Sequence, residues 1–183
     1  MSEYSVLVSL INDVAVIPVQ DDGYGNKTLE LTEVDAPDSS VEIRHVPNDL
    51  IAIDVDRNFS NDGLVSSSRG ARKRCDYLLL SAQMQCAVSL EMKRENPSTQ
   101  TEQIQQLTGT LCVFEYFDAL LRNFYKEDFL GQYARRFAVL RHTRIRRRGT
   151  RSQSPVLHDA PERALFLCGQ TVLQFGQLAR PNA

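Results

Sequence analysis

Arg74-Cys75-Asp76-Tyr77-Leu78-Leu79-Leu80, then Ser81-Ala82-Gln83-Met84-Gln85, then Cys86-Ala87-Val88-Ser89-Leu90-Glu91-Met92-Lys93 is the stretch whose reading decides the fold. Two apolar arms around a polar centre predict a β-hairpin. Residues facing each other in an antiparallel pair have a constant summed number. A sum of 167 sets Asp76 against Glu91 and centres the turn between Gln83 and Met84. Their Cβ atoms would then be about 5 Å apart. A symmetric five-residue turn would instead set Asp76 against Leu90, so the pairing requires the even register or a bulge. Side chains alternate along a strand. Glu91 and Lys93 therefore share a face with Leu78, Leu80, Ala87 and Ser89, and the other face carries Cys75, Tyr77, Leu79, Cys86, Val88, Leu90 and Met92. Two carboxylates and a lysine at the open end of a hairpin suit a divalent-metal site. The carboxylates hold Mg²⁺ or Mn²⁺ through oxygen, and the lysine orients or activates a water while the metal polarises a phosphoryl oxygen. An ordinary hairpin with charged ends is the alternative.

The surrounding chain has 183 residues, 42% hydrophobic and 24% charged, enough for one domain with a real core. No run approaches the ~20 apolar residues of a membrane span. The first residues, Met-Ser-Glu-Tyr-Ser, lack the basic segment of a secretory signal, which favours a cytoplasmic setting. Cys75, Cys86, Cys112 and Cys168 show no Cys-x-x-Cys spacing and are expected as buried free thiols. The net charge of -2 conceals an asymmetry: residues 1–62 hold thirteen acidic and three basic residues (-10), and residues 63–183 hold ten and eighteen (+8). Basic residues cluster at Arg69, Arg72, Lys73 and Arg74, and again at Arg141, Arg144, Arg146, Arg147, Arg148 and Arg151. Such polarity points to a polyanion partner. A solvated surface, or pairing of the basic loops with the acidic first third, is the alternative.

The first third is expected to be β-rich, with strands at Val6–Leu10, Val14–Val19, Lys27–Glu33, Val41–His45 and Leu50–Val55, and a polar loop from Asn58 to Gly70. After Lys93, Pro97 ends the strand, and Ser98 or Thr99 caps a helix with Glu102 as capping-box partner of Thr99. Ile104, Leu107, Leu111, Phe114, Leu121 and Tyr125 predict an amphipathic helix over roughly Thr101 to Tyr125. Gln100, Gln103 and Gln106 near its start are candidate contacts to phosphate or metal-bound water, or a solvated first turn. Phe137–Arg146 reads as a further strand, and Arg163–Cys168 with Thr171–Leu178 as a closing hairpin around Gly169-Gln170. His45, His142 and His158 have no metal-ligand spacing.

The order strand, strand with Asp76, turn, strand with Glu91-Met92-Lys93, helix, strand resembles the PD-(D/E)XK nuclease superfamily, over about residues 50–145. The helix bearing Gln103 and Gln106 looks like the glutamine-bearing helix of some branches. The resemblance implies an α+β, restriction-endonuclease-like mixed sheet with flanking helices over residues 63–183, with 1–62 as an acidic β-rich part packed on or extending it. It implies Mg²⁺- or Mn²⁺-dependent cleavage of nucleic acid, DNA ahead of RNA. Asp76, Glu91 and the Met92 carbonyl would hold metal, and Lys93 would serve the nucleophilic water. Arg69, Arg72, Lys73, Arg74, Arg146, Arg147 and Arg148 would contact phosphates, and Gln103, Gln106, Asp56 and Glu95 would be accessory. Two features depart from the family pattern: no proline precedes Asp76, and no helix with a further acidic residue is evident before it, which leaves Glu42, Asp54 or Asp56 as substitutes. Family habit adds a homo-oligomer or a subunit of a phage-defence or DNA-processing complex. The alternatives are an inactive binding or assembly subunit, and an acidic first third that covers the basic surface.

Overall fold

The structure, a computed structural model, describes residues 2–33, 36–93, 99–141 and 157–180. In chain order its elements are α1 (Glu3–Leu10), β1 (Val16–Ile17), β2 (Gln20–Asp21), β3 (Lys27–Glu33), β4 (Ala36–Arg44), β5 (Ile51–Asp54), α2 (Val55–Asn58), β6 (Tyr77–Ser81), β7 (Cys86–Lys93), α3 (Gln100–Leu120), β8 (Ala134–Arg141), β9 (Leu165–Cys168), β10 (Val172–Gln174) and α4 (Phe175–Ala179). The fold class is mixed α+β with two mixed sheets. One has the order β1-β5-β6-β7-β8-β9, the other β10-β4-β3-β2.

The hairpin β6–β7 adopts the register with summed number 167: Tyr77 faces Leu90, Leu79 faces Val88 and Ser81 faces Cys86. The turn is set by Asp49, whose carboxylate accepts from Ser81 Oγ at 2.9 Å and from the Gln83 N–H at 2.6 Å. Gln85 takes the left-handed conformation that tight reversal demands (φ 45). β7 then runs parallel to β8, with Glu91 beside Val139 and Lys93 beside Arg141. α3 is the crossover that a parallel pair requires.

Both hairpin arms are apolar on both faces because both faces are covered. Tyr77, Leu79, Val88, Leu90 and Met92 pack with Leu29, Leu31, Val41 and Ile43 of the second sheet. Leu78, Leu80 and Ala87 pack with Val6 and Leu7 of α1 and with Val113 and Phe114 of α3. The central sheet is thus the middle of three layers. Residues 1–62 contribute to both sheets, β1 and β5 to one and β2 to β4 to the other.

α3 starts where its cap dictates: Thr99 Oγ1 accepts from the Glu102 N–H, and Glu102 returns the bond to the Thr99 N–H. It continues through a π turn at Leu121–Tyr125, so the helical span matches the expected one. Its buried face is centred on Gln103, Leu107, Thr110 and Phe114, with Ile104 and Leu111 only half-buried.

Four expectations are corrected. Val6–Leu10 is helix, because Ser2 caps the Ser5 N–H and Val6 and Leu7 turn into the core; a short apolar run does not separate strand from helix by period. β9 and β10 form no hairpin. β9 pairs parallel with β8, β10 pairs parallel with β4, and residues 175–179 are helix. Cys75 packs with Leu107, Phe137 and Val139 on the helix face, opposite the Tyr77 side chain, because strand alternation begins only at Tyr77. Cys112 and Cys168 are exposed, and only Cys75 and Cys86 are buried. No described helix is long and apolar enough to cross a membrane.

Candidate active site

The open end of the hairpin is shaped by a glycine in the middle of a helix. A Cβ on Gly109 would stand 1.7 Å from the Lys73 carbonyl oxygen, so only glycine lets the chain before β6 lie against α3. The next residue fixes that contact: Thr110 Oγ1 accepts from the Cys75 N–H and Sγ, each at 2.9 Å. Asp76 then turns its carboxylate onto β7, where Oδ2 accepts from the Met92 N–H at 2.6 Å. Its carbonyl accepts from the Val55 N–H at 2.9 Å, which ties in the end of β5. Asp76 thus terminates the β6–β7 ladder with a side chain in place of backbone.

Glu91 lies on the helix-facing side of β7 and is 0% exposed. Its carboxylate is bonded by the Lys93 ammonium and by the Asp76 backbone. Burial, and then the Asp76 charge, push its carboxyl up to about 8, against the opposing pull of Lys93. The Lys93 ammonium forms its ion pair and remains 22% exposed, so it is the outward-facing member of the trio. Met92 projects its side chain into the core shared with the second sheet.

Lys93 opens on a cleft of about 250 Å³ lined also by Asp56, Arg72, Lys73, Arg74, Glu102 and Gln106. Six residues singled out in the sequence therefore line one space: Asp56, Arg72, Lys73, Arg74, Lys93 and Gln106. Glu102, expected only as a cap, joins them and pairs with Lys73 at 3.2 Å. Gln106 Oε1 is buried with no hydrogen bond from a described residue. Gln103 lies elsewhere: fully buried, its Oε1 accepts from Arg141 Nη2 at 2.9 Å. Arg69 is exposed, left-handed (φ 56) and off the cleft.

The basic wall is largely engaged by the first third. Arg72 Nε stands 3.6 Å from Asp62 Oδ1, and its guanidinium donates to the carbonyls of Val65 and Asp62. Arg74, with 11% of its side chain exposed, stands 3.9 Å from Asp56 Oδ1 and lies over the Phe59 ring. Arg146, Arg147, Arg148 and Glu95 lie outside the described residues.

The upstream carboxylates divide clearly. Asp54 faces Tyr77 across β5–β6 but caps α2, accepting from the Arg57 N–H at 3.1 Å. Glu42 belongs to the second sheet and pairs with Arg44. Two helices do precede Asp76, contrary to expectation: α2 carries Asp56, which lines the cleft, whereas Glu3 of α1 accepts from Tyr133 Oη at the opposite end of the central sheet. Among the described residues no three His, Cys, Asp or Glu side chains gather as a metal cage. A scan against protein-family models finds no match, and searches of curated proteins and of solved structures find none either.

Proposed function

We propose that the chain is a divalent-metal-dependent nuclease of the PD-(D/E)XK type, acting on DNA or RNA, with its site at the open end of the β6–β7 hairpin. One observation carries the reading: the 167 register sets Asp76 and Glu91 at neighbouring strand ends, with Lys93 paired to Glu91 and a cleft walled by Arg72, Lys73 and Arg74. The residues fit a hard cation, because Glu91 is a fully buried carboxylate held beside a second carboxylate, Asp76. Asp76 and Glu91 would hold Mg²⁺ or Mn²⁺, with the Met92 carbonyl as a further oxygen. A bound ion would polarise a phosphoryl oxygen and lower the pKa of its water. Lys93 would hold that water in line, and Gln106 would fix it from the α3 side. Arg72, Lys73 and Arg74 would position the phosphates.

A second reading, a binding or assembly subunit without chemistry, draws on the engagement of the same groups. Asp76 ends the ladder on Met92, Lys93 is held against Glu91, and Arg72 and Arg74 pair with Asp62 and Asp56.

Cleavage of single- and double-stranded DNA and RNA in Mg²⁺, Mn²⁺ and EDTA tests the proposal. Wild type should cleave in metal, while Asp76→Ala and Glu91→Ala abolish cleavage and Lys93→Ala slows it by more than the ~10²–10⁴-fold of one acid–base group. A wild type inert on every substrate leaves the binding subunit.

A further inference from the structure

The closed end of the β6–β7 hairpin carries a larger cleft than the open end, about 450 Å³. Four segments build it: the start of β3, the chain after β4, the β6–β7 turn and α4. Among its lining residues are Lys27, His45 and Arg180, with the amides of Asn26, Asn48 and Gln83, and no carboxylate. That composition runs against the acidic character of residues 1–62, which supply Lys27 and His45.

Asp21 stands opposite Lys27 in the β2–β3 pair, and its carboxylate accepts from the Gly23 N–H. Asp22 accepts from the Tyr24 N–H, the Asn26 N–H and Asn26 Nδ2. Asp49 is spent on Ser81 and Gln83. Neither Lys27 nor Arg180 has an ion-pair partner among the described residues, unlike Arg72, Lys73 and Arg74 at the other end. His45 is aimed: it holds a left-handed backbone (φ 53), and its Nδ1 bonds to the Gln174 side-chain oxygen. Gln174 Oε1 only accepts, so Nδ1 carries the proton and Nε2 is the ring atom left for a ligand.

We propose that this cleft is a second ligand site, which takes a phosphomonoester of about nucleotide size. A planar guanidinium and an ammonium suit the several oxygens of a phosphate dianion, and the accepting Nε2 of His45 suits a ligand hydroxyl such as that of a ribose. The volume falls in the range of sites for small organic molecules. The phosphate has two sources, a free nucleoside monophosphate or the phosphorylated end of a nucleic-acid strand. The site stands apart from the nuclease reading, since it shares no residue with the open end.

Calorimetric titration of the full chain in EDTA with AMP, inorganic phosphate and adenosine tests it. AMP should bind with a Kd of about 1 mM or tighter, and adenosine at least tenfold more weakly. Arg180→Gln and Lys27→Ala should each weaken AMP roughly tenfold, the loss of one charge-assisted bond, with circular dichroism unchanged. Arg180 is exposed and only its backbone N–H is bonded among the described residues, so Arg180→Gln keeps the test decisive if Lys27→Ala unfolds. A 5′-phosphorylated oligonucleotide that competes with AMP where its 5′-hydroxyl twin does not assigns the strand end, and equal failure of both assigns the free nucleotide. No AMP binding by wild type, or equal binding by wild type and Arg180→Gln, overturns the proposal.

Discussion

Glu91 gives the site its sharpest measurable property. Its carboxyl titrates near 4.5 when solvated and at about 8 in the fold. Between those values the folded chain holds a proton that the unfolded chain has released. The stability this contributes is complete below about 4.5 and is lost as pH rises through about 8. At about 1.36 kcal/mol per pKa unit, the loss is on the order of a few kcal/mol. Thermal melts in EDTA from pH 5 to 9 should therefore fall more steeply for wild type than for Glu91→Gln, which cannot ionise. Parallel melting curves would show that Glu91 is ionised throughout, and that Lys93 outweighs burial. At this scale the sequence was readable where the chemistry is local. The Glu91/Lys93 pairing on one face follows from strand alternation alone. That Arg72 and Arg74 spend their charge on Asp62 and Asp56 does not, because those contacts depend on how the Asn58–Gly70 loop folds back.

Among the elements, α3 and the chain before β6 depend on each other through Gly109 and Thr110. Glycine inside a helix costs about 1 kcal/mol relative to alanine, so its presence in the middle of α3 signals a packing demand. Gly109→Ala should reverse that propensity gain and destabilise by roughly 1–3 kcal/mol or more, the cost of overpacking, because the Lys73 carbonyl must move. Gly131→Ala, whose added methyl meets nothing closer than 3.8 Å, should leave urea unfolding almost unchanged. Equal midpoints for the two variants would mean that the chain yields at no cost. Thr110→Val should cost about 1–3 kcal/mol by stranding the buried Cys75 N–H. The Thr108-Gly109-Thr110 triplet was the available sequence signal for this clamp, and a stripe drawn only through Ile104, Leu107, Leu111 and Phe114 passes over it. The β6–β7 hairpin was legible from its two apolar arms and polar turn, but its register was not: both faces are covered, and it is Asp49, outside the hairpin, that fixes the turn by binding Ser81 and Gln83.

For the molecule as a whole, the acidic first third is not an appendage: it supplies strands to both sheets and carboxylates to the basic wall. Asp62→Asn and Asp56→Asn should therefore raise affinity for a duplex oligonucleotide and steepen its salt dependence, by about 0.9 in log–log slope for each further phosphate that a released arginine neutralises. A slope unchanged in both variants would show that Arg72 and Arg74 are structural. The second sheet escaped the sequence reading because β10 joins β4 without any turn between them to announce it. That parallel pairing sets Val172 beside Glu42 and Gln174 beside Arg44. It also fixes an order of events during synthesis. A ribosome releases β2, β3 and β4 before β10, and the outer edge of β4 then waits with unpaired N–H and C=O groups until residues 172–174 have emerged. Such an edge is a template for misassembly. A nascent chain stalled before residue 171 should pellet with its neighbours or recruit a holdase, while one stalled beyond residue 180 and tethered by a long linker should resist protease.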